Sequence, residues 1–241
     1  DRVTLTVDGC CTADSLYAGF FTKLIYEMFA DGTVLVTVKG KPYGALPEVL
    51  PRIGVVFTVP KEYDRVRWLG RGPYENYADS VANAPVGLYE KSVGEMNTDY
   101  DYPQETGNHE QTYALTLGTA EGESGLSVIG ADTFAFSYHD MSPDNLTDAR
   151  HKNEIQKSDE NYLYVDYRMR GLGSHSCGPD PEEAYELHPH AFTFTFAVSA
   201  CGFDTAVAAS RLDYGRRTGA LSGTYQYEKP QKVTQVADCD L

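Results

Sequence analysis

The sequence predicts a single, nearly all-β domain that spans residues 1–241 and contains one short helix. Three observations support this prediction. Aromatic residues are abundant, with 18 Tyr and 10 Phe, and they favour the half-buried surface of a pleated sheet. Residues 191–198 read Ala-Phe-Thr-Phe-Thr-Phe-Ala-Val, which is the alternation of a strand with one buried face. Only one segment has a convincing set of helix-start signals.

Predicted strands recur along the whole chain. The dipeptide Asp31-Gly32 separates 24–29 from 33–38, and Asp-Gly between two strand-like runs is typical of a β-hairpin. The other predicted strands cover 3–7, 53–59, 65–69, 111–117, 125–129, 133–138, 162–169 and 190–199. We expect residues 1–20 and 215–241 to be edge strands or frayed ends. Long loops are expected at 70–94, 97–109 and 171–188.

The convincing helix begins after Ser142. Ser142 suits the N-cap, Pro143 suits the first helical position, and Asp144 complements the positive end of the helix dipole. These signals predict a helix over 143–151. A weaker helical candidate covers 205–212.

Composition excludes several classes of partner. Asp and Glu outnumber Lys and Arg by 35 to 20, which gives a net charge of −15. An acidic surface repels nucleic acid and anionic membranes, and no apolar run approaches the roughly 20 residues that span a bilayer. Neutral sugars remain compatible with such a surface. The five cysteines lack the spacing of a zinc or redox motif, and reduced thiols fit a cytoplasmic protein best.

Metal and nucleotide chemistry is not evident in the sequence. His188 and His190 would face the same side of a strand, but a third ligand is not apparent nearby. The turn 70–73, Gly-Arg-Gly-Pro, lacks the following helix and the Lys-Ser/Thr pair of a phosphate-binding loop. A Gly-x-Ser-x-Gly nucleophile motif is also missing from the sequence. The sequence therefore predicts neither a metal site nor a cofactor in this chain.

Two loop carboxylates and several loop tyrosines have the chemistry of a sugar site. A glycosidase uses two carboxylates roughly 5–10 Å apart, and Glu75 and Glu105 are the best-placed loop acids. Stabilisation of a turn, or ion pairing, is the alternative role for each. Sugar C–H faces pack on aromatic rings, and the loop rings are Tyr74, Tyr77, Tyr100 and Tyr102. Packing at the sandwich ends or on a partner domain is their alternative role.

A series of sequence blocks resembles the last domain of family 2 β-galactosidases. The first is Leu-Pro-Arg-Ile-Gly at 50–54, and the longest, at 66–79, is Val-Arg-Trp-Leu-Gly-Arg-Gly-Pro-Tyr-Glu-Asn-Tyr-Ala-Asp. Tyr-Pro-Gln-Glu-Thr-Gly at 102–107, Phe-Ser-Tyr at 136–138, Ala-Arg-His-Lys at 149–152 and Gly-Leu-Gly-Ser-His-Ser-Cys-Gly-Pro at 171–179 follow in the family's order. Each block is short, but the combination over about residues 20–200 is highly specific.

The resemblance implies a large antiparallel β-supersandwich, similar in shape to galactose mutarotases. The family's catalytic glutamates lie on a separate (β/α)8 barrel, so the resemblance assigns no catalytic residue to this chain. It implies a catalytic barrel domain or large subunit as partner and a homo-oligomeric parent enzyme. The Mg and Na ions of parent enzymes bind in other domains.

The resemblance also points to residues 173–178 as a loop at the rim of the sugar site. In one branch of the family a Trp in this loop stacks on the sugar, whereas this sequence has Cys177. His175, Ser176 and Cys177 are therefore the predicted substrate-binding residues, with the two polar side chains supplying hydrogen bonds. A purely structural glycine turn is the alternative.

Three functional hypotheses follow. The chain is expected to be a non-catalytic module of a retaining β-galactosidase that hydrolyses terminal β-D-galactosides such as lactose. It would be a separate small subunit or a piece of a longer polypeptide, and the strand-like pattern that starts at Val3 favours the piece. The alternatives are a stand-alone, mutarotase-like aldose 1-epimerase using His139 or His109 with Glu105, and a carbohydrate-binding module.

Overall fold

The computed structural model describes residues 2–12, 17–122, 124–173 and 180–218. Ten antiparallel strands dominate it, with two α-helices, α1 (Pro143–Asp148) and α2 (Phe203–Thr218). The strands are β1 (Arg2–Thr12), β2 (Gly19–Phe29), β3 (Val34–Tyr43), β4 (Arg52–Pro60), β5 (Arg65–Arg71), β6 (Val86–Ser92), β7 (His109–Gly118), β8 (Ser124–His139), β9 (Glu160–Met169) and β10 (Phe192–Ser199). The predicted all-β, antiparallel sandwich class is confirmed.

The long strand β8 joins two parts of the sheet. The main path runs β1-β2-β3-β10-β8-β7-β5-β6, and β8 also pairs with β9, which pairs with β4. The first half of β8 pairs with β10 through 127–130, and its second half pairs with β9 through 135–139. The two branches face each other, because Phe57 of β4 meets Phe196 of β10 edge to face at 6.1 Å between ring centroids.

The core is filled by the inward side chains of this sandwich. Trp68, Phe136 and Phe196 are fully buried. The Trp68 indole N–H donates to the carbonyl of Arg71 at 2.9 Å, which satisfies the ring's one polar atom. On β10, Phe194 and Phe196 are buried while the threonine at 193 is exposed, so the predicted alternation matches the burial of this strand.

The predicted hairpin at Asp31-Gly32 is present. Strands β2 and β3 pair in antiparallel register from Gly19↔Tyr43 to Met28↔Val34. Gly32 has φ +83°, a conformation that glycine adopts without steric cost. The Asp31 carboxylate accepts the backbone N–H of Thr33 at 2.9 Å. Strand β1 then pairs with β2 along its whole length and forms the outer edge of the sheet.

Both helices differ in length from the prediction. Ser142 caps α1 by accepting the Asn145 N–H at 3.1 Å, as predicted. The helix ends at Asp148 rather than 151, because Ala149 is extended with ψ 127°. The weak candidate at 205–212 lies inside α2, which has 16 residues and buries Phe203, Ala206 and Val207. The expectation of one short helix was therefore incomplete.

Two strand predictions also require correction. The region 70–94, expected to be a loop, contains β6, which pairs with β5 from Arg65↔Ser92 to Arg71↔Val86. Its sequence, Val-Gly-Leu-Tyr-Glu-Lys-Ser, gives a weak strand signal because glycine interrupts it. The runs 125–129 and 133–138, predicted as separate strands, form the single strand β8. Residues 219–241 lie outside the described part of the chain.

Candidate functional site

The sequence blocks meet around Arg52, at the start of β4. Its guanidinium donates from Nη2 to Glu105 Oε1 at 2.9 Å, and its Nε lies 3.7 Å from Asp166 Oδ2. The same guanidinium lies over the Tyr164 ring, 4.4 Å from the centroid. The Arg52 and Asp166 side chains expose only 19% and 1% of their surface. One arginine thus holds a loop acid and an acid in the centre of β9.

Glu75 ties the two long loops together. Its carboxylate accepts the Gly107 N–H at 2.7 Å, the Thr106 hydroxyl at 3.1 Å and the Tyr77 hydroxyl at 3.4 Å. It also accepts a hydrogen bond from the Tyr100 hydroxyl. A carboxylate with four donors is held in a fixed orientation. This geometry matches the turn-stabilising alternative for Glu75.

An amide cluster extends this network into the core. Asn108 Nδ2 donates to the Asn76 carbonyl at 2.8 Å and to Glu110 Oε1 at 3.1 Å. Asn76 Oδ1 in turn accepts the Glu110 N–H at 2.9 Å. Asn76 and Asn108 are fully buried, and buried amides are stable only when hydrogen-bonded. These contacts lock the loop 72–85 onto the start of β7.

Asp79 lies next to Gly171 and Gly173, at the start of the block 171–179, which we term the glycine-rich loop. A Cβ atom on Gly171 would stand 2.7 Å from Asp79 Cγ, and one on Gly173 would stand 2.8 Å from Asp79 Oδ2. Gly173 also has φ +47°, which disfavours other residues. Both carboxylate oxygens of Asp79 are buried and lack a hydrogen-bond partner within the described residues. The two glycines therefore let the loop backbone approach this carboxylate closely.

Burial shifts the pKa values of the inner carboxyl groups. Desolvation raises the pKa of Asp166 to about 7, although the nearby Arg52 charge lowers it. Desolvation likewise raises the pKa of Glu110 to about 7, against the hydrogen bond from Asn108. It also raises the pKa of Glu105, against the Arg52 charge. A carboxyl group with a raised pKa can hold a proton near neutral pH.

The two histidines of the epimerase hypothesis lie in the interior. His109 is fully buried and donates from Nδ1 to the Arg71 carbonyl at 3.1 Å. His139 is 3% exposed and donates from Nδ1 to Asn97 Oδ1 at 2.6 Å. Burial lowers the pKa of His109 to about 3 and that of His139 to about 4. Both rings are neutral at ordinary pH and face protein atoms, so this geometry does not favour an epimerase.

An open cleft lies beside the Glu75 network. It has a volume of about 300 Å³, and Tyr100 and Thr106 line it on the side of Glu75. Asp140 and Lys157, which pair at 2.7 Å, also line it. Tyr74 and Tyr102, the other exposed loop rings, are 65% and 66% exposed. Most of the described residues that line the cleft are polar, and one of them, Tyr100, is aromatic.

The predicted substrate-binding residues His175, Ser176 and Cys177 lie outside the described residues. The described part of their loop ends at Gly173, above Asp79. The described residues hold no group of three His, Cys, Asp or Glu side chains suited to a metal ion. His188 donates from Nε2 to the Glu183 carboxylate at 2.9 Å, and its Nδ1 lies 2.8 Å from the Glu48 carbonyl.

Sequence reasoning missed Asp166 and Glu110. Asp166 is fully buried in β9 and Glu110 is half-buried in β7, and acids at such positions are rare because burial of a charge is costly. In residues 162–167, Tyr-Leu-Tyr-Val-Asp-Tyr, a lone acid interrupts an otherwise aromatic and aliphatic run. That interruption is the signal that could have identified Asp166.

The fold and the inward-facing signature residues define an antiparallel β-sandwich module braced by a buried polar network. A family model described as "Beta galactosidase small chain" matches residues 3–198. The chain therefore belongs to the β-galactosidase small-chain family.

Named relatives agree with this assignment. The chain is 33% identical to a β-galactosidase of Staphylococcus xylosus over 195 residues, which are 81% of this chain and 19% of that protein. It is 33% identical to a β-galactosidase of Kluyveromyces lactis over 193 residues, or 80% of this chain and 18% of the relative. Identity reaches 38% over 158 residues with a β-galactosidase of an Arthrobacter species. The chain thus spans less than a fifth of the length of these relatives. None of the helices in the described residues is long and apolar enough to cross a bilayer.

Proposed function

We propose that this chain is a non-catalytic component of a retaining β-galactosidase, which hydrolyses terminal β-D-galactosides such as lactose. The bond-breaking glutamates would reside on a (β/α)8 barrel in the larger partner. This chain would pack beside that barrel, form part of the sugar-site rim and contribute to the oligomer. The observation that carries the proposal is that Arg52, Glu75 and Asn76 make contacts within the chain that brace its loops.

The two loop acids are occupied in ways that disfavour catalysis. Retaining hydrolysis requires one carboxylate free to attack the sugar and a second free to transfer a proton. Glu105 is instead paired with Arg52 at 2.9 Å, and Glu75 accepts hydrogen bonds from two tyrosines, a threonine and a backbone N–H. Supporting roles of this kind hold loops rigidly, which is what a sugar-site rim requires.

The glycine-rich loop is the proposed contact with β-galactosides. Its base is fixed by the close approach of Gly171 and Gly173 to Asp79, and by the Gly171 N–H bond to the Tyr185 carbonyl at 3.0 Å. Beyond this base, His175 and Ser176 would supply hydrogen bonds to sugar hydroxyls, with Cys177 beside them. A cytoplasmic location is part of the proposal and is supported by the free thiols of Cys10, Cys11 and Cys201.

Hydrolysis of nitrophenyl β-galactoside tests the proposal directly. We expect the chain alone to show no turnover above buffer, because the proposal assigns the catalytic carboxylates to the larger partner. Addition of the remainder of its β-galactosidase polypeptide should produce turnover. Robust hydrolysis by the chain alone would refute the proposal, as would a remainder that is fully active without it.

Variants in the loop test its contact with sugar. In the assembled enzyme, His175→Ala and Ser176→Ala should each raise KM several-fold, about the loss of one hydrogen bond. Glu182→Ala, at an exposed position after the loop, is the matched control and should leave KM unchanged. Wild-type KM values in both loop variants would assign the loop a purely structural role.

A further inference from the structure

Strand β1 has the sequence of a half-buried strand, but its apolar side is exposed. Val3, Leu5 and Val7 are 65%, 51% and 43% exposed. Polar residues occupy the alternate positions 2, 4, 6 and 8. Because successive side chains point to opposite sides of a strand, the three aliphatic residues share one side. Together with Met28 of β2, which is 37% exposed, they form what we term the β1–β2 apolar face.

This face continues the core across four adjacent strands. Phe196, Val36, Tyr26 and Leu5 are successive partners in the sheet register. Phe196 is fully buried, Val36 is 4% exposed, Tyr26 is half-buried and Leu5 is 51% exposed. A second row shows the same gradient and consists of Phe194, Val38, Leu24 and Val7. The inner surface of the sheet therefore extends beyond the layer that covers it.

The covering layer ends at β4. Among the described strands, β4 pairs only with β9, so its other edge has backbone groups available for a further strand. Val55 and Phe57 of β4 pack on the core, and Phe57 contacts Phe196 of β10. In the opposing sheet, the side chains of each row become exposed two strands beyond β10, at β2 and then β1. A strand added beside β4 would advance over this region, because strands are spaced by about 4.8 Å.

On its other side β1 makes polar contacts with β2, although the same side of β2 also exposes Phe21 at 47% and Phe29 at 39%. Arg2 pairs with Glu27 at 2.5 Å, and Lys23 pairs with Asp8 at 3.4 Å. Ion pairs of this type remain stable in water, whereas a contiguous apolar surface favours burial. The side that carries Leu5 is assigned to the partner because its two rows lead into the buried rings of Phe194 and Phe196.

We propose that the β1–β2 apolar face is the docking surface for β-strands of the larger β-galactosidase polypeptide, which extend the covering layer from the free edge of β4. This inference rests on the proposed function. The relatives contain about five times more polypeptide than this chain matches, since 195 residues are 19% of one of them. A second copy of the chain is a less suitable occupant, because each copy has a net charge of −15 and two copies repel.

Leu5→Asp tests the surface, and Thr6→Asp is the matched control. Both place a carboxylate on β1, but Thr6 lies on the opposite side of the strand from Leu5. The separately purified remainder of the β-galactosidase polypeptide would be titrated into each chain. We expect Leu5→Asp to raise the dissociation constant at least 10-fold and Thr6→Asp to change it less than 3-fold. Hydrogen exchange on the wild-type chain should show new protection of amides in β1 and β4 upon mixing.

The outcomes separate this inference from the proposed function. Association and activity that Leu5→Asp leaves unchanged would overturn the assigned surface while the proposed function stands. A wild-type chain that neither binds nor activates the remainder would overturn both. Sedimentation of the chain alone provides a further test, since a dimer dissociated by Leu5→Asp would assign the face to a second copy.

Discussion

At the scale of single residues, Arg52 joins the acid of one loop, Glu105, to the acid in β9, Asp166. Its charge compensates Glu105 at 2.9 Å and Asp166 at 3.7 Å. Gly54 makes room for this arrangement, because a Cβ atom there would stand 1.9 Å from Asp166 Oδ1. An arginine this close favours the charged form of a buried acid, in opposition to the desolvation that disfavours it. Arg52 and Gly54 lie two residues apart on β4, and both face Asp166 on the paired strand β9. The arginine supplies the charge and the glycine leaves room for the carboxyl group.

Replacement of Arg52 by methionine should destabilise the chain by about 3 kcal/mol, because the buried Asp166 and the half-buried Glu105 lose the guanidinium that contacts both. Urea unfolding measures this change. The double variant Arg52→Met, Asp166→Asn should recover part of the loss. Arg67→Met is the control, since Arg67 and Glu90 pair at 3.4 Å with about half of each side chain exposed, and it should cost less than about 1 kcal/mol. Equal losses in the two single variants would contradict the role of Arg52.

At the scale of elements, the cap of α1 fixes the segment beside the cleft. Met141 and Leu146 line the cleft, and Ser142 accepts the Asn145 N–H between them. Ser142→Ala should lower the free energy of unfolding by about 1 kcal/mol, the usual cost of a lost N-cap. Ser142→Asp keeps an acceptor and should stay within about 0.5 kcal/mol of the wild type. Thermal unfolding of both variants checks this, and equal midpoints would show that the cap contributes nothing.

Strands with strict alternation could be predicted from the sequence, whereas their partners could not. The alternation at 191–198 and the Asp-Gly turn at 31–32 gave β10 and the β2–β3 hairpin, because both signals are local. The weak signal of β6 was insufficient, since that strand is defined by its pairing with β5. Residues of the site were predicted in part for the same reason. Arg52 and Glu105 stand in recognisable blocks, but their contact depends on long-range packing that no local pattern encodes.

At the scale of the whole molecule, buried acids and buried histidines give opposite pH dependences. The Asp166 and Glu110 carboxyl groups have pKa values raised by burial to about 7, so their contribution to stability is full below the unfolded pKa values of 3.8 and 4.5 and is lost as pH rises through 7. His109 and His139 have pKa values lowered to about 3 and 4. Their contribution is full above 6.5 and is lost as pH falls through those values. Between about pH 4.5 and 6.5 the two gradients oppose each other.

Removal of Asp166 should remove its part of the decrease in stability with rising pH. For Asp166→Asn, the free energy of unfolding relative to the wild type should rise with pH between about 4.5 and 6.5, by on the order of 1.4 kcal/mol per pH unit, because the folded wild type alone keeps a proton on Asp166 in this range. Denaturant titrations at several pH values measure the difference. Asp159→Asn, at an exposed position, is the control for the loss of a surface carboxyl group. Parallel pH profiles for Asp166→Asn and the wild type would mean that Asp166 is ionised throughout, with Arg52 outweighing the effect of burial.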